Sequence, residues 1–384
     1  MAYPPPEPFT IAIPDAVLDD LENRLSRVRW PGELPDSDWD YGANLSYIQQ
    51  LVEYWRTAYD WRAQERAMNR WAHFKTTIDG QGIHFIHARG KGPAPLPLII
   101  SHGWPGSFYE FMEVIGPLTD PAAHGGDPAD AFDVVVPSLP GYGFSAPPQE
   151  RKVNISRMAE WFAVLMTEVL GYERYGAQGG DWGSMISSRL GYAYPEQLIG
   201  VHLNMVGIAP HPANRQDLSP AEEAFLKGMR AWQREERGYQ EIQGTKPQTL
   251  GFALNDSPVG VCAWIVEKFR TWSDCDGNPE NSYTKDQLLT NVMIYWVTQT
   301  FHSASRVYYE ERHHPWRLGK DEKVSVPTGI AAFPKEIACP PREWAERAYN
   351  VQHWTAMPAG GHFAAMEHPA LLVEDIRAFF RGLR

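Results

Sequence analysis

The pentapeptide Gly179-Gly180-Asp181-Trp182-Gly183 constrains this chain more than any other stretch. Glycines two residues either side of a single side chain permit a sharp strand-to-helix turn, which lifts a strained central residue above the edge of a sheet. A residue presented in this way is a nucleophile, and esterases and lipases use Ser there. Asp181 changes the reaction class, because a carboxylate attacks carbon bearing a good leaving group and leaves an alkyl ester on the protein. Epoxides and alkyl halides are the electrophiles that suit it.

A turn of this kind needs alternating strands and helices around it. Residues 10–70 read as helical, with 16–25 placing apolar residues three and four apart and a second amphipathic helix at 47–54. At Phe74 the period changes, and 74–78 and 83–87 alternate around Asp79-Gly80-Gln81-Gly82 as an antiparallel hairpin. Continuous apolar runs at 96–102 and 132–137 suit parallel strands covered on both faces. A helical stretch at 107–118 separates them, and another follows at 156–170. The rhythm stops after Asn204, where residues 206–320 form a mostly helical segment rich in Trp, Tyr and Arg. Strand signals return at 324–333 and 352–357, before a closing helix at 369–384. The fold class predicted is α/β: an α/β-hydrolase fold with a mostly parallel, doubly wound sheet in two parts, 73–205 and 321–384. A helical lid, 206–320, interrupts it and an N-terminal helical meander, 1–72, packs on it.

Composition narrows the partners. With 35 Lys and Arg against 47 Asp and Glu, the formal charge is −12 and no basic block occurs, so nucleic acid is not an expected partner. Cys262, Cys275 and Cys339 lack metal-type spacing; an odd count suits a reducing interior, and all three read as packing residues. The stretch Met1-Ala2-Tyr3-Pro4-Pro5-Pro6-Glu7 has neither the charge nor the apolar run of a secretion signal, and no apolar stretch is long enough to span a bilayer. A soluble, cytoplasmic protein without a membrane anchor is expected.

The chemistry is expected at strand ends. In Ser101-His102-Gly103-Trp104-Pro105-Gly106-Ser107 the loop after the first parallel strand can point the Trp104 N–H at the nucleophile; with the Trp182 N–H it would form an oxyanion hole. His362, in Gly360-Gly361-His362-Phe363, follows the last strand, where the base of a triad in the order nucleophile, acid, base belongs. Glu336, in Phe333-Pro334-Lys335-Glu336, ends the preceding strand and is the acid of choice, whereas Asp321, Glu322 and Glu343 read as solvated charges.

Taken together, these blocks resemble the epoxide hydrolases of the microsomal and juvenile-hormone type. The resemblance spans Tyr54-Trp55-Arg56, Asp60-Trp61-Arg62, His73-Phe74-Lys75, Ile83-His84-Phe85-Ile86-His87, the loop from His102, the turn at Asp181, Leu254-Asn255-Asp256-Ser257-Pro258-Val259-Gly260 and the loop around His362. It implies Asp181 as nucleophile, His362 as the base that activates water and Glu336 as its orienting acid. It also implies two lid tyrosines that donate to the epoxide oxygen: Tyr239, and Tyr308 with its neighbour Tyr309 as the alternative. Physics agrees, since a phenol with an ordinary pKa of about 10 stays protonated at neutral pH and can meet a nascent alkoxide. The membrane-anchoring helix of the microsomal type is not matched ahead of the meander. The partners expected are an apolar epoxide and water, with no cofactor and no metal, since ring strain drives the opening. Disposal of reactive epoxides, including those of aromatic hydrocarbon breakdown, is the implied use, and a homodimer is left open. Two rivals stand beside this reading: a haloalkane dehalogenase, with the Trp104 and Trp182 indoles binding halide, and a hydrolase fold kept only for ligand binding.

Overall fold

The structure, a computed structural model, describes residues 3–384; Met1 and Ala2 of the N-terminal stretch lie outside the described residues. Nine strands form one sheet: β1 (Glu7–Phe9), β2 (His73–Ile78), β3 (Gln81–Ala88), β4 (Leu96–Ser101), β5 (Phe132–Pro137), β6 (Tyr175–Gly179), β7 (Leu198–Leu203), β8 (Val324–Ala332) and β9 (Tyr349–Ala356). Their order across the sheet is β1-β2-β3-β5-β4-β6-β7-β8-β9. The first three neighbouring pairs are antiparallel and all others are parallel. This is the mostly parallel α/β-hydrolase sheet, and β4, β5 and β6 at its centre are covered on both faces.

Local chemistry explains the departures from the sequence reading. The hairpin closes with Ile78 opposite Gln81, so its loop is only Asp79 and Gly80. Both take positive φ, 49° and 84°, as a tight two-residue hairpin turn requires. The three-residue β1 carries no alternation that a sequence could reveal, and exists because β2 offers it an open edge. The continuous helix expected at 107–118 is instead two short turns, Phe108–Phe111 and Ile115–Thr119. Ser107 caps the first through its side chain, and Gly116-Pro117 weakens the second. Cys262 and Cys275 are buried as expected of packing residues, but Cys339 is exposed beside Pro340.

Between β7 and β8 lie six principal helices, among them Gly238–Gln243, Pro258–Trp272, Lys285–Thr298 and Phe301–His313. The helix Lys285–Thr298 buries nine consecutive residues, from Leu288 to Trp296, and so has no amphipathic signature. It is covered by the core on one side and by the N-terminal helices on the other: Tyr54 donates to Asp286, and the Tyr59 and Thr290 hydroxyls meet at 3.0 Å. The lid also grips the loop after β4. Asn291 donates to the Pro105 carbonyl at 2.8 Å and accepts from Ser107, while Tyr295 donates to the Gly106 carbonyl at 2.6 Å. Among the described residues no single helix is long and apolar enough to cross a membrane.

Candidate active site

β6 ends at Gly179, and the helix Asp181–Ala193 starts at once. Asp181 itself takes the left-handed conformation, φ 47°, which an Asp tolerates better than most residues. The flanking glycines serve close approach: a Cβ on Gly183 would stand 1.9 Å from the Ser101 carbonyl oxygen, and one on Gly179 would meet Gly183 at 2.3 Å. The helix can therefore start directly against β4 and point Asp181 at the loop that follows β4.

That loop supplies the first contact with the carboxylate. The Trp104 N–H donates to Asp181 Oδ1 at 2.8 Å. The other expected donor, the Trp182 N–H, sits in the first turn of the helix and makes no hydrogen bond to the Asp181 carboxylate. On the opposite side His362 Nε2 stands 3.4 Å from Asp181 Oδ2, and His362 Nδ1 is 2.6 Å from Glu336 Oε1. Glu336 Oε1 also accepts from the Ile337 N–H at 2.7 Å, so the acid is pinned by its own backbone. The two loops are bound to each other by Lys335 N–H donating to the Gly360 carbonyl, and His362 N–H donates to the Trp272 carbonyl of the lid at 2.9 Å. Burial works against the imidazolium, but Glu336 and Asp181 outweigh it and hold the His362 pKa well above its ordinary value. The position of His362 between Glu336 and Asp181 thus favours its charged form.

Over this group lies an aromatic shelf. The Tyr239 ring stacks on Trp104 at 5.1 Å, with 7° between the planes. Tyr308 meets Trp182 edge-on at 4.7 Å and Tyr239 at 5.8 Å. Burial raises the pKa of both phenols above the ordinary value, and the Asp181 charge adds to the shift, so both stay protonated. Tyr309 is turned outward, 37% exposed against 5% for Tyr308, and stacks on His313 instead. One helical position separates a residue inside the site from one outside it.

Sequence reasoning passed over Glu110. Its carboxyl helps line a cavity of about 10 Å³, the room of about one water, together with Asp181, His362 and Gly103. Burial, together with the nearby Asp181 charge and against the pull of His362, raises its pKa to about 8. The sequence does hold a trace of it. A Cβ on Gly106 would stand 1.6 Å from Glu110 Oε1, so the glycine makes room for that carboxyl.

The comparisons with known proteins agree with this geometry. Residues 6–111 match the family described as "Epoxide hydrolase N terminus", and residues 97–244 match "alpha/beta hydrolase fold". The chain is 39% identical to "Epoxide hydrolase 1" of Sus scrofa over 97% of this chain and 88% of that protein. It is also 39% identical to "Juvenile hormone epoxide hydrolase 2" of Ctenocephalides felis, over 96% and 84%. Among solved structures it resembles the juvenile hormone epoxide hydrolase of the silkworm Bombyx mori, with a TM-score of 0.90, 32% identity and coverage of 100% and 96%. With Asp181 at the turn after β6, Glu336 after β8 and His362 after β9, and with relatives matching along nearly its whole length, the chain belongs to the epoxide hydrolase family and is an enzyme of that family.

Proposed function

We propose that this enzyme opens apolar epoxides to vicinal diols through a covalent ester on Asp181. The observation that carries the reading is the position of one carboxylate between a backbone donor and a histidine: Trp104 N–H at 2.8 Å on Oδ1 and His362 at 3.4 Å on Oδ2. In the first half-reaction an Asp181 oxygen attacks an epoxide carbon, the C–O bond breaks, and Tyr239 and Tyr308 meet the oxygen with protons. Esterification removes the negative charge of Asp181, and with it one of the influences that hold His362 protonated. The proton His362 gives up balances the one the phenols pass to the alkoxide. Neutral His362 then takes a proton from water as that water attacks the ester carbonyl, and the Trp104 N–H stabilises the oxyanion. Collapse of the oxyanion breaks the acyl C–O bond, releasing the diol and restoring the Asp181 carboxylate and protonated His362. Neutral Glu110, facing the water-sized cavity, positions that water.

Use in the disposal of reactive epoxides, including those from aromatic hydrocarbons, fits the aromatic shelf of Trp104, Tyr239, Trp182 and Tyr308. A reducing, cytoplasmic setting fits three thiols without a disulfide. One further observation bears on the dehalogenase alternative: the indole N–H groups of Trp104 and Trp182 are buried without a partner, as halide ligands would be. The two phenols have no use in that reaction, and halide release from a chloroalkane would be its signature.

The ester route is tested by a single turnover in heavy-oxygen water with enzyme in excess. The ester delivers an Asp181 oxygen to the diol and recovers one from water, so the expected products are unlabelled diol and one heavy oxygen in the peptide containing Asp181. Labelled diol with unlabelled protein would remove Asp181 as nucleophile.

A further inference from the structure

We propose that the cavity outside the lid phenols receives an epoxide carrying a carboxylate at its far end, held by Arg215 and Arg317; this rests on the epoxide-opening reading above. The cavity has a volume of about 620 Å³. Its wall includes Trp182, Met185 and Tyr308, so it reaches one of the two phenols that would meet the epoxide, while Ile208 and Leu318 give its walls apolar surface. Tyr308 and Arg312 lie one turn apart on the helix Phe301–His313, about 6 Å along its axis, and Arg317 follows beyond the helix end. A ligand reaching from the phenols to the arginines therefore needs an apolar spacer.

Four arginines line the cavity, and two of them are already neutralised. Arg237 and Arg312 both pair with Glu241, at 2.9 and 2.5 Å. Among the described residues no acid stands within ion-pair distance of Arg215 or Arg317. Arg215 is half-buried, lies over the Trp344 ring at 5.4 Å and donates from Nε to the Pro210 carbonyl at 2.8 Å. Burial and the nearby Arg317 charge lower its pKa. Two adjacent cations are held together here in a chain with an excess of acids, 47 against 35, where partners are plentiful. An anion binding between them removes their repulsion and supplies charge-assisted hydrogen bonds. Among the described residues Glu311 is the one acid on the cavity wall; it feels the Arg317 charge but forms no ion pair with it, and both its oxygens accept backbone N–H groups, from Trp316 at 2.9 Å and Ile155 at 3.3 Å.

The test compares a medium-chain fatty acid carrying a terminal epoxide with its methyl ester, which differ only in the charge at the far end. The wild-type enzyme should show a lower KM for the acid. R317Q, at an exposed position where no side-chain hydrogen bond is made among the described residues, should raise the KM of the acid about tenfold and leave kcat/KM for the ester within about twofold. R215Q/R317Q should abolish the preference, and rising salt should weaken it in the wild type alone. Equal KM values for acid and ester, or equal losses on both in R317Q, would overturn the carboxylate site and leave epoxide hydrolysis standing. No turnover of either substrate would overturn the epoxide-opening reading, and the carboxylate site with it.

Discussion

Glu336 and Asp181 both raise the His362 pKa, so under the ester mechanism proposed above His362 has different duties in the two half-reactions. H362A removes the base but not the nucleophile, so alkylation should continue and hydrolysis stall. Intact-mass measurement after mixing with substrate should show protein heavier by one epoxide on the Asp181 peptide, and its absence would sink the assignment. The phenols are expected to share one task. Y239F or Y308F alone should slow alkylation by on the order of 30- to 150-fold, from about 2 to 3 kcal/mol for a charge-assisted donor, and the double variant should lose nearly all activity. Y309F should change neither rate, since that ring faces outward against His313. Glu110 adds a pH dependence. Its carboxyl, with a pKa raised to about 8, is neutral below that pH; above it, a new negative charge opposes the oxyanion forming at the Asp181 ester. Ester hydrolysis should fall as the pH rises through about 8, and E110Q, which cannot ionise, should lack that limb of the rate profile.

At the level of elements, the site depends on how closely the helix Asp181–Ala193 can start against β4. Gly183 permits this contact because it lacks a Cβ, and the Ser101 backbone opposite it cannot move as a flexible side chain could. G183A should push the helix start off the strand and cost about 1 to 3 kcal/mol of stability, the range of overpacked sites. Activity should fall further than stability, since displacing Asp181 also lengthens its contact with the Trp104 N–H. Wild-type turnover in a folded G183A protein, judged by its circular dichroism, would show that the close approach is dispensable. The sequence pattern made β4, β5 and the turn after β6 legible, because parallel strands buried on both faces read as continuous apolar runs. It misread 107–118, where apolar spacing looked helical but Ser107 and Gly116-Pro117 break the backbone into short turns.

On the scale of the whole molecule, lid and core share one apolar cluster, with Trp104 and Ile186 of the core and Val292 and Tyr308 of the lid among its members. The seam is also polar: Asn291, fully buried, bridges Pro105 and Ser107 on either side of Gly106. A lid tied in this way should unfold with the core, giving one cooperative transition by both tryptophan fluorescence and far-ultraviolet circular dichroism. N291A leaves the buried Pro105 carbonyl without its donor and the Ser107 hydroxyl without its acceptor, and should cost about 1 to 3 kcal/mol, lowering Tm by both probes together. Two separated transitions, or an unchanged Tm, would show that the lid is only loosely attached.

What the sequence determined by itself is the chemistry that depends on order along the chain. The turn at Asp181, the loop from His102, and Glu336 and His362 after the last two strands could be placed because each sits at the end of a recognisable strand. Glu336 and His362 were found as positions in this order, before any contact between them was known. The tertiary structure decided what depends on direction and distance. It turned Tyr308 inward and Tyr309 outward, a difference of one helical step that no spacing rule resolves inside a segment buried on many sides. It placed the Trp104 N–H on the Asp181 carboxylate, and brought Glu110 to a small cavity shared with Asp181 from a loop that looked like ordinary helix. It also brought Arg215 and Arg317 to one cavity wall with no ion pair to either among the described residues, though about a hundred residues separate them in the chain. Side-chain direction, pKa and charge pairing are properties of neighbours in space, and only the fold brings those neighbours together.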